Sequence, residues 1–288
     1  MIQAMKDKAQ ELLRTGAVDQ VLAWKEGSLP CYPEPHFFTT VESVAQLTYS
    51  QFCTANLSRY LIDNKGRKTL VFLRPCDAYS YNQLLKENQV ARADAYIIGI
   101  GCPGCVAVED GEDKGLLEGC LHCTKTTFPP ICDEVLEGDL MPRTTTDPDS
   151  RFQAVTALEA LDDAERYAFW QGHFAQCIRC NACRNVCPSC HCKKCVFDGD
   201  KYDTHQKANV SQAEAQMFHV TRAFHVAGRC TDCGQCSRVC PQGIPLHLLN
   251  RKFILDINHM YGQYQAGEDI DAPSPLTSFH MGNDPEPR

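Results

Sequence analysis

Several common signatures of function are missing from this 288-residue chain. It has no P-loop, no Ser-His-Asp signature and no run of about eighteen apolar residues, so no membrane span is expected. A net charge of −8 lacks the positive balance that a nucleic-acid partner requires. The first residues, MIQAMKDKAQELLR, have the pattern of an amphipathic helix rather than of an apolar signal segment, so a cytoplasmic protein is expected.

Cysteine, in contrast, is abundant, because the chain has 19 of them. Secreted disulfide scaffolds are short and carry signal peptides, and an odd number of cysteines leaves one thiol unpaired. The composition therefore favours a cytosolic metalloprotein over a disulfide-bonded one.

The cysteines of the C-terminal half form an internal repeat. Residues 177–188 read CIRCNACRNVCP and residues 230–241 read CTDCGQCSRVCP, and both are the bacterial run for [4Fe–4S] clusters. In two-cluster ferredoxins the fourth cysteine of each run binds the other cluster. One predicted ligand set is therefore Cys177, Cys180, Cys183 and Cys240. The other is Cys230, Cys233, Cys236 and Cys187. Paired zinc sites fit two complete runs poorly.

A helix is predicted between the two runs. Ser211 and Glu214 form a capping box, and the helix should end near Gly228. One face of this helix carries apolar side chains that we expect to pack over the clusters: Met217, Val220, Ala223 and Phe224.

The segment SCHCKKC, just after the first run, contains three cysteines beyond those that two clusters need: Cys190, Cys192 and Cys195. They could bind another metal together with a partner chain, or line the cluster pocket as buried thiols, which is the favoured interpretation.

Composition divides the chain into three parts. Turn-forming residues near 140–152 separate an α/β domain, residues 1–145, from an α-rich two-cluster ferredoxin-like domain, residues 150–262. Residues 263–288 are acidic and rich in proline, and they contain too few apolar residues to fold alone, so they are predicted to form a tail.

The N-terminal half has a strand–helix–strand pattern. Residues 69–73 and 93–101 predict two buried strands, and residues 78–88 predict the helix between them, which implies a small parallel sheet with a right-handed crossover. A cysteine follows each strand, at the edge where open α/β sheets bind ligands, and the later CLHC adds two more. Four thiolates can therefore converge there: Cys76, Cys102, Cys120 and Cys123.

The segment GIGCPGC, residues 99–105, also fits two other patterns. Its glycines match G-x-G-x-x-G, but an acidic, glycine-rich stretch follows instead of a helix, which argues against a dinucleotide site. Its cysteines and those of CLHC form two C-x-x-C pairs at nearly the spacing of a zinc ribbon, and the spacing alone leaves that alternative open. The zinc set would be Cys102, Cys105, Cys120 and Cys123.

VFLRPCDAYSYNQL, YIIGIGCPG and CLHC together resemble the iron–sulfur segment of the beta subunits of deazaflavin-coenzyme-reducing hydrogenases and related formate dehydrogenases. The resemblance implies one [4Fe–4S] cluster, with the ligands Cys76, Cys102, Cys120 and Cys123. Hydrogenase members of that family bind FAD through a glycine-rich N-terminal segment, which has no counterpart in residues 1–60 and so argues against FAD. The C-terminal half resembles dicluster ferredoxin subunits, and the whole fusion resembles electron-transfer subunits of heterodisulfide-reductase-type flavin complexes in anaerobes.

These patterns predict a relay subunit that carries single electrons through three [4Fe–4S] clusters, from a donor oxidoreductase to a flavin-containing heterodisulfide-reductase-like acceptor. The expected partners are the other subunits of such a complex, including hydrogenase or formate dehydrogenase subunits. Two alternatives remain, namely a flavin-dependent oxidoreductase with catalysis in the N-terminal domain, and a zinc-stabilised scaffold. Seven cysteines have no assigned role: Cys31, Cys53, Cys105, Cys132, Cys190, Cys192 and Cys195.

Overall fold

The computed structural model describes most of the chain. The described residues are 1–109, 111–123, 125, 128, 131–136, 147–198 and 211–277. Most of the predicted break near 140–152 and the last part of the predicted tail lie outside them. Two compact units are present, the first comprising Met1–Ser150 with Gly267–Asp271 and the second Arg151–Ala266 with Ala272–Arg288.

The first unit is an α/β unit built on a mostly parallel sheet of six strands among the described residues. Its strands are β1 (Gln20–Lys25), β2 (Glu34–Phe38), β3 (Leu47–Thr48), β4 (Thr69–Leu73), β5 (Ala95–Ile100) and β8 (Glu134–Leu136). A separate hairpin pairs β6 (Val106–Glu109) with β7 (Glu112–Leu116). The strand order is β2-β1-β4-β5-β8, in which β1, β4, β5 and β8 run parallel to one another, whereas β2 and β3 pair with β1 in antiparallel fashion.

The predicted pair of parallel strands is confirmed, since Val71 of β4 lies opposite Ile97 of β5. Within the ranges given above, three α-helices accompany the sheet: α1 (Ile2–Arg14), α2 (Pro75–Lys86) and α3 (Glu118–Leu121). Helix α2 begins three residues before the predicted start because Pro75 occupies its first turn, where a missing N–H costs nothing. The strands and α1 share one apolar core, which includes Met5, Phe72 and Ile98.

Residues Gly267–Asp271, from the predicted tail, belong to the first unit and contact α2. The Asn82 side-chain amide donates a hydrogen bond of 3.0 Å to the carbonyl oxygen of Gly267. Gly267 has φ +77°, and a Cβ atom there would lie 1.9 Å from the carbonyl oxygen of Tyr79. The contact therefore requires glycine at this position.

Helices make up the second unit. They are α4 (Gln153–Glu159), α5 (Asp163–Ala175), α6 (Ala182–Asn185), α7 (Gln212–Val226), α8 (Gln235–Arg238) and α9 (Leu246–Tyr261). The predicted capping box of α7 is confirmed, because the Glu214 N–H donates to Ser211 Oγ and the Ser211 N–H donates to the Glu214 carboxylate. No helix in the described ranges is long and apolar enough to cross a membrane.

The apolar stripe predicted on α7 is wrong at two positions, because Met217 and Phe224 are 66% and 61% exposed. The buried face instead carries Phe218, His219 and Arg222. Two of these buried side chains are polar, so a search for apolar periodicity selects the neighbouring face of the helix.

Candidate metal centres

The two cysteine runs of the second unit have the same backbone conformation. Arg179 and Asp232, which occupy equivalent positions, have φ of 53° and 55°. Asn181 and Gly234, two residues further on, have φ of 61° and 71°. Left-handed φ values are uncommon outside glycine, and here they recur in both loops, so the sequence repeat is also a structural repeat.

This conformation directs backbone N–H groups at cysteine sulfur atoms. The N–H of Arg179 donates to Cys177 Sγ at 3.4 Å, and the N–H of Asp232 donates to Cys230 Sγ at the same distance. Such hydrogen bonds stabilise thiolate ligands and influence the reduction potential of an iron–sulfur cluster. Each loop then continues into a short helix, α6 or α8, which carries the third cysteine of its run.

The first predicted ligand set lines a single cavity. Three of its cysteines come from the first run and Cys240 comes from the second run. The rest of the wall includes the apolar side chains of Phe218, Ile244 and Leu246 and the polar residues Arg179, Asn181, His219 and Gln242. The structure therefore brings together the four cysteines of this set, which are Cys177, Cys180, Cys183 and Cys240.

The second predicted ligand set is grouped in the same crossed manner. Cys187, from the first run, interacts electrostatically with Cys230, Cys233 and Cys236 of the second run. The Asn250 side-chain amide from α9 donates to Cys236 Sγ at 3.6 Å. The fourth cysteine of each run thus lies beside the other run, as the spacing predicted, and its role as a ligand stays a prediction.

Burial has a direct effect on these thiols. It raises the pKa of Cys183 and that of Cys233 to about 12. Without metal they are therefore neutral at pH 7, and iron must displace their protons to bind thiolate. A cluster can do so because each cysteine binds a different, positively charged iron atom.

His219 is a neighbour of the first set for which the sequence predicted no role. Its Nε2 lies 3.2 Å from Cys177 Sγ, and its ring stacks on Phe174 with centroids 5.2 Å apart. Burial and the nearby cation of Arg222 lower its pKa to about 3, so the ring is neutral. No local sequence motif predicts this contact, because the fold brings together two residues that are 42 positions apart in the chain.

In the first unit, the predicted ligands come from separate elements. Cys76 lies in the first turn of α2, directly after β4, and Cys102 follows β5. The thiol of Cys76 interacts electrostatically with Cys102 and Cys123, and the thiol of Cys120 interacts with Cys76. The strand ends and CLHC therefore do meet, as the topology predicted. Gly104, with φ +77°, forms the turn inside CPGC that a residue with a side chain would strain.

Cys105 also lies in this group, although the sequence assigned it no role. Its N–H donates to Cys120 Sγ at 3.4 Å, and its own Sγ accepts a hydrogen bond of 2.9 Å from Arg74 Nη1. Arg74 is buried and forms an ion pair of 2.8 Å with Asp77. Five cysteines and one buried cation are thus close together at this edge of the sheet.

The remaining cysteines are dispersed. Cys190 is hydrogen-bonded to the thiol of Cys187, and the N–H of Cys195 donates to Asp198. The predicted burial of Cys192 is wrong, because this thiol lies in an exposed stretch with Lys193 and Lys194. Cys31 and Cys53 are buried, and Cys132 is half-buried. Within the described part of the chain, no group of three or more histidine, cysteine and acidic side chains surrounds a single point as one metal ion would require.

Known proteins resemble this chain over most of its length. Residues 173–244 match the family model of a 4Fe-4S dicluster domain. The "F420-dependent formate dehydrogenase subunit beta" of Methanocaldococcus jannaschii is 23% identical over an alignment of 350 positions, gaps included, which covers 91% of this chain and 90% of the relative. The "F420-dependent formate dehydrogenase 1 subunit beta" of Methanococcus maripaludis is 24% identical, with 92% and 90% covered. The predicted resemblance to iron–sulfur beta subunits is therefore confirmed.

Proposed function

We propose that this protein is an electron-transfer iron–sulfur subunit of a formate dehydrogenase-type oxidoreductase, and that it carries single electrons through three [4Fe–4S] clusters. The observation that carries the proposal is the crossed grouping of the two runs, in which Cys240 joins the first run and Cys187 joins the second. A dicluster domain uses this arrangement to hold two clusters close together. Similarity to formate dehydrogenase beta subunits supports the wider assignment.

The third cluster is assigned to the first unit. Its proposed ligands are Cys76, Cys102, Cys120 and Cys123. Support comes from the parallel strands β4 and β5, which bring two of these cysteines to one edge, and from the electrostatic contact of Cys76 with Cys123. Cys105 then remains a neighbouring thiol that accepts a hydrogen bond from Arg74.

A bound [4Fe–4S] cluster supplies one-electron oxidation and reduction. The residues of this chain hold such a group and adjust its environment. Backbone N–H groups donate to Cys177 and Cys230, the Asn250 amide donates to Cys236, and the apolar side chains in the wall of the first cavity limit contact with water. These contacts fix the cysteine side chains in place, so that a change of one charge requires little rearrangement.

The proposed partners are the other subunits of a redox complex. Electrons enter from a donor oxidoreductase and leave to a flavin-containing acceptor of the heterodisulfide-reductase type. The protein binds no substrate of its own in this proposal. A flavin-dependent enzyme with its catalytic site in the first unit is the competing function.

A reductive titration of the anaerobically purified protein tests the proposal. Three clusters should accept about three electrons per chain, since each takes one electron. The protein should release no flavin when it is denatured. Release of stoichiometric FAD, together with uptake of about two electrons beyond those of the clusters, would favour the flavin-dependent enzyme. A protein that accepts no electrons would contradict both the relay subunit and the enzyme.

A further inference from the structure

Arg222 is a buried cation on helix α7. The described residues contain three buried arginines, namely Arg74, Arg222 and Arg251. Arg74 forms an ion pair of 2.8 Å with Asp77, and Arg251 forms one of 2.9 Å with Asp232. A buried charge without a partner is strongly unfavourable, so Arg222 also requires compensating negative charge.

The groups that could supply this charge are cysteines, which become negative when they bind a cluster as thiolates. The side chain of Arg222 is hydrogen-bonded to Cys236 and to Cys190, and Cys187 and Cys183 are its next cysteine neighbours. The Nε and Nη1 atoms of Arg222 are buried and have no hydrogen-bond partner in the protein. Two donors of one cation are therefore available beside the cysteines.

Three of these cysteines belong to the two predicted clusters. Cys183 is in the first ligand set, whereas Cys187 and Cys236 are in the second. Since α7 connects the two runs along the chain, it can place one side chain next to both sets. Arg222 therefore lies near both predicted clusters rather than near one of them alone.

We propose that Arg222 is a positioning residue shared by the two clusters of the second unit, and that its guanidinium stabilises the reduced state of both. The inference rests on the proposed function. Reduction adds one electron, supplied by the donor oxidoreductase, to a cluster, and no bond forms or breaks. A fixed positive charge nearby favours that added negative charge, and the free Nε–H and Nη1–H groups find acceptors in sulfur.

The test is a redox titration of the cluster-loaded protein, followed by electron paramagnetic resonance. Arg222→Gln removes the charge, Arg222→Lys keeps it without the planar donor fork, and Arg166→Gln removes a matched charge from an ion pair with the exposed Asp163. In Arg222→Gln, the equilibrium constant for one-electron reduction of each cluster should fall at least tenfold, which lowers each reduction potential by about 59 mV. Arg222→Lys should show a smaller shift of both, and Arg166→Gln no shift.

Unchanged potentials in Arg222→Gln, or a shift of only one cluster, would overturn the inference. If Arg222→Gln does not assemble clusters, the Lys variant decides, because it is expected to assemble both and to lower both potentials. Failure of both variants to assemble clusters, while Arg166→Gln assembles them, would make Arg222 a folding residue and also overturn the inference. Absence of iron and sulfide from the unmodified protein would instead contradict the proposed function.

Discussion

The two units assemble their cysteine sites in different ways. The second unit uses one short loop twice, with matching φ values and matching N–H donors to Cys177 and Cys230. The first unit collects cysteines from two strand ends and a later segment, so its site depends on how β4 and β5 pair. Local spacing is therefore enough to predict the ligands proposed for the second unit, whereas topology is needed to predict those proposed for the first.

The buried arginines show the same contrast. In the first unit, Arg74 is already neutralised by Asp77 and needs no cluster to compensate its charge. In the second unit, the neighbours of Arg222 are cysteines, which become negative only when they bind a cluster as thiolates. We infer that the first site can keep its arrangement without metal more easily than the second.

The largest expected effect is the loss of a whole cluster when the crossed arrangement is broken. Cys187→Ser should remove about four iron atoms per chain, because one of four ligands is lost. The missing paramagnetic signal should be the one that Cys233→Ser removes, although Cys187 belongs to the other run. Cys190→Ser, which changes the thiol hydrogen-bonded to Cys187, is the matched control and should keep both signals. If Cys187→Ser instead removes the signal that Cys180→Ser removes, the crossed arrangement is refuted.

A comparable loss is expected in the first unit from Cys76→Ser. It should remove about four iron atoms and leave both signals of the second unit intact. Cys105→Ser should keep its cluster, since a hydroxyl can still accept the hydrogen bond from Arg74. A zinc ribbon predicts the reverse, so iron and zinc analysis of the two variants separates the alternatives.

Arg74→Gln should destabilise the first unit by about 3–5 kcal/mol, because it leaves the carboxylate of Asp77 buried and uncompensated. Urea unfolding of the variant gives the loss of stability. Arg59→Gln, which alters an ion pair with the exposed Asp63, should cost less than about 1 kcal/mol. If the two substitutions lower the free energy of unfolding equally, the buried ion pair contributes no more to stability than the exposed one.

The smallest expected effect concerns the contact of Gly267 with α2. Gly267→Ala should cost about 1–3 kcal/mol, since it combines a left-handed φ with a Cβ 1.9 Å from the Tyr79 carbonyl oxygen. Gly66→Ala is the matched control, because Gly66 also has a positive φ, of 81°, but has open space around it. Comparison of the two unfolding free energies isolates the cost of the steric contact.

Sequence patterns predicted the features that a regular alternation, a capping motif or a repeated cysteine run marks. The strand at residues 69–73, the parallel pairing with β5, the capping box of α7 and the crossed cysteine groups all follow from spacing and alternation. Contacts between residues that no such motif marks were not accessible in this way. Arg222 and His219 occupy a face of α7 that apolar periodicity does not mark, and the link between Arg74 and Cys105 joins residues 31 positions apart.

The number of clusters is the central claim, and iron and acid-labile sulfide analysis of the anaerobically purified protein tests it most directly. Three cubane clusters predict about twelve iron and twelve sulfide per chain. A value of about eight of each would confine clusters to the second unit and contradict the assignment of one to Cys76, Cys102, Cys120 and Cys123. Zinc without iron or sulfide would contradict the whole account.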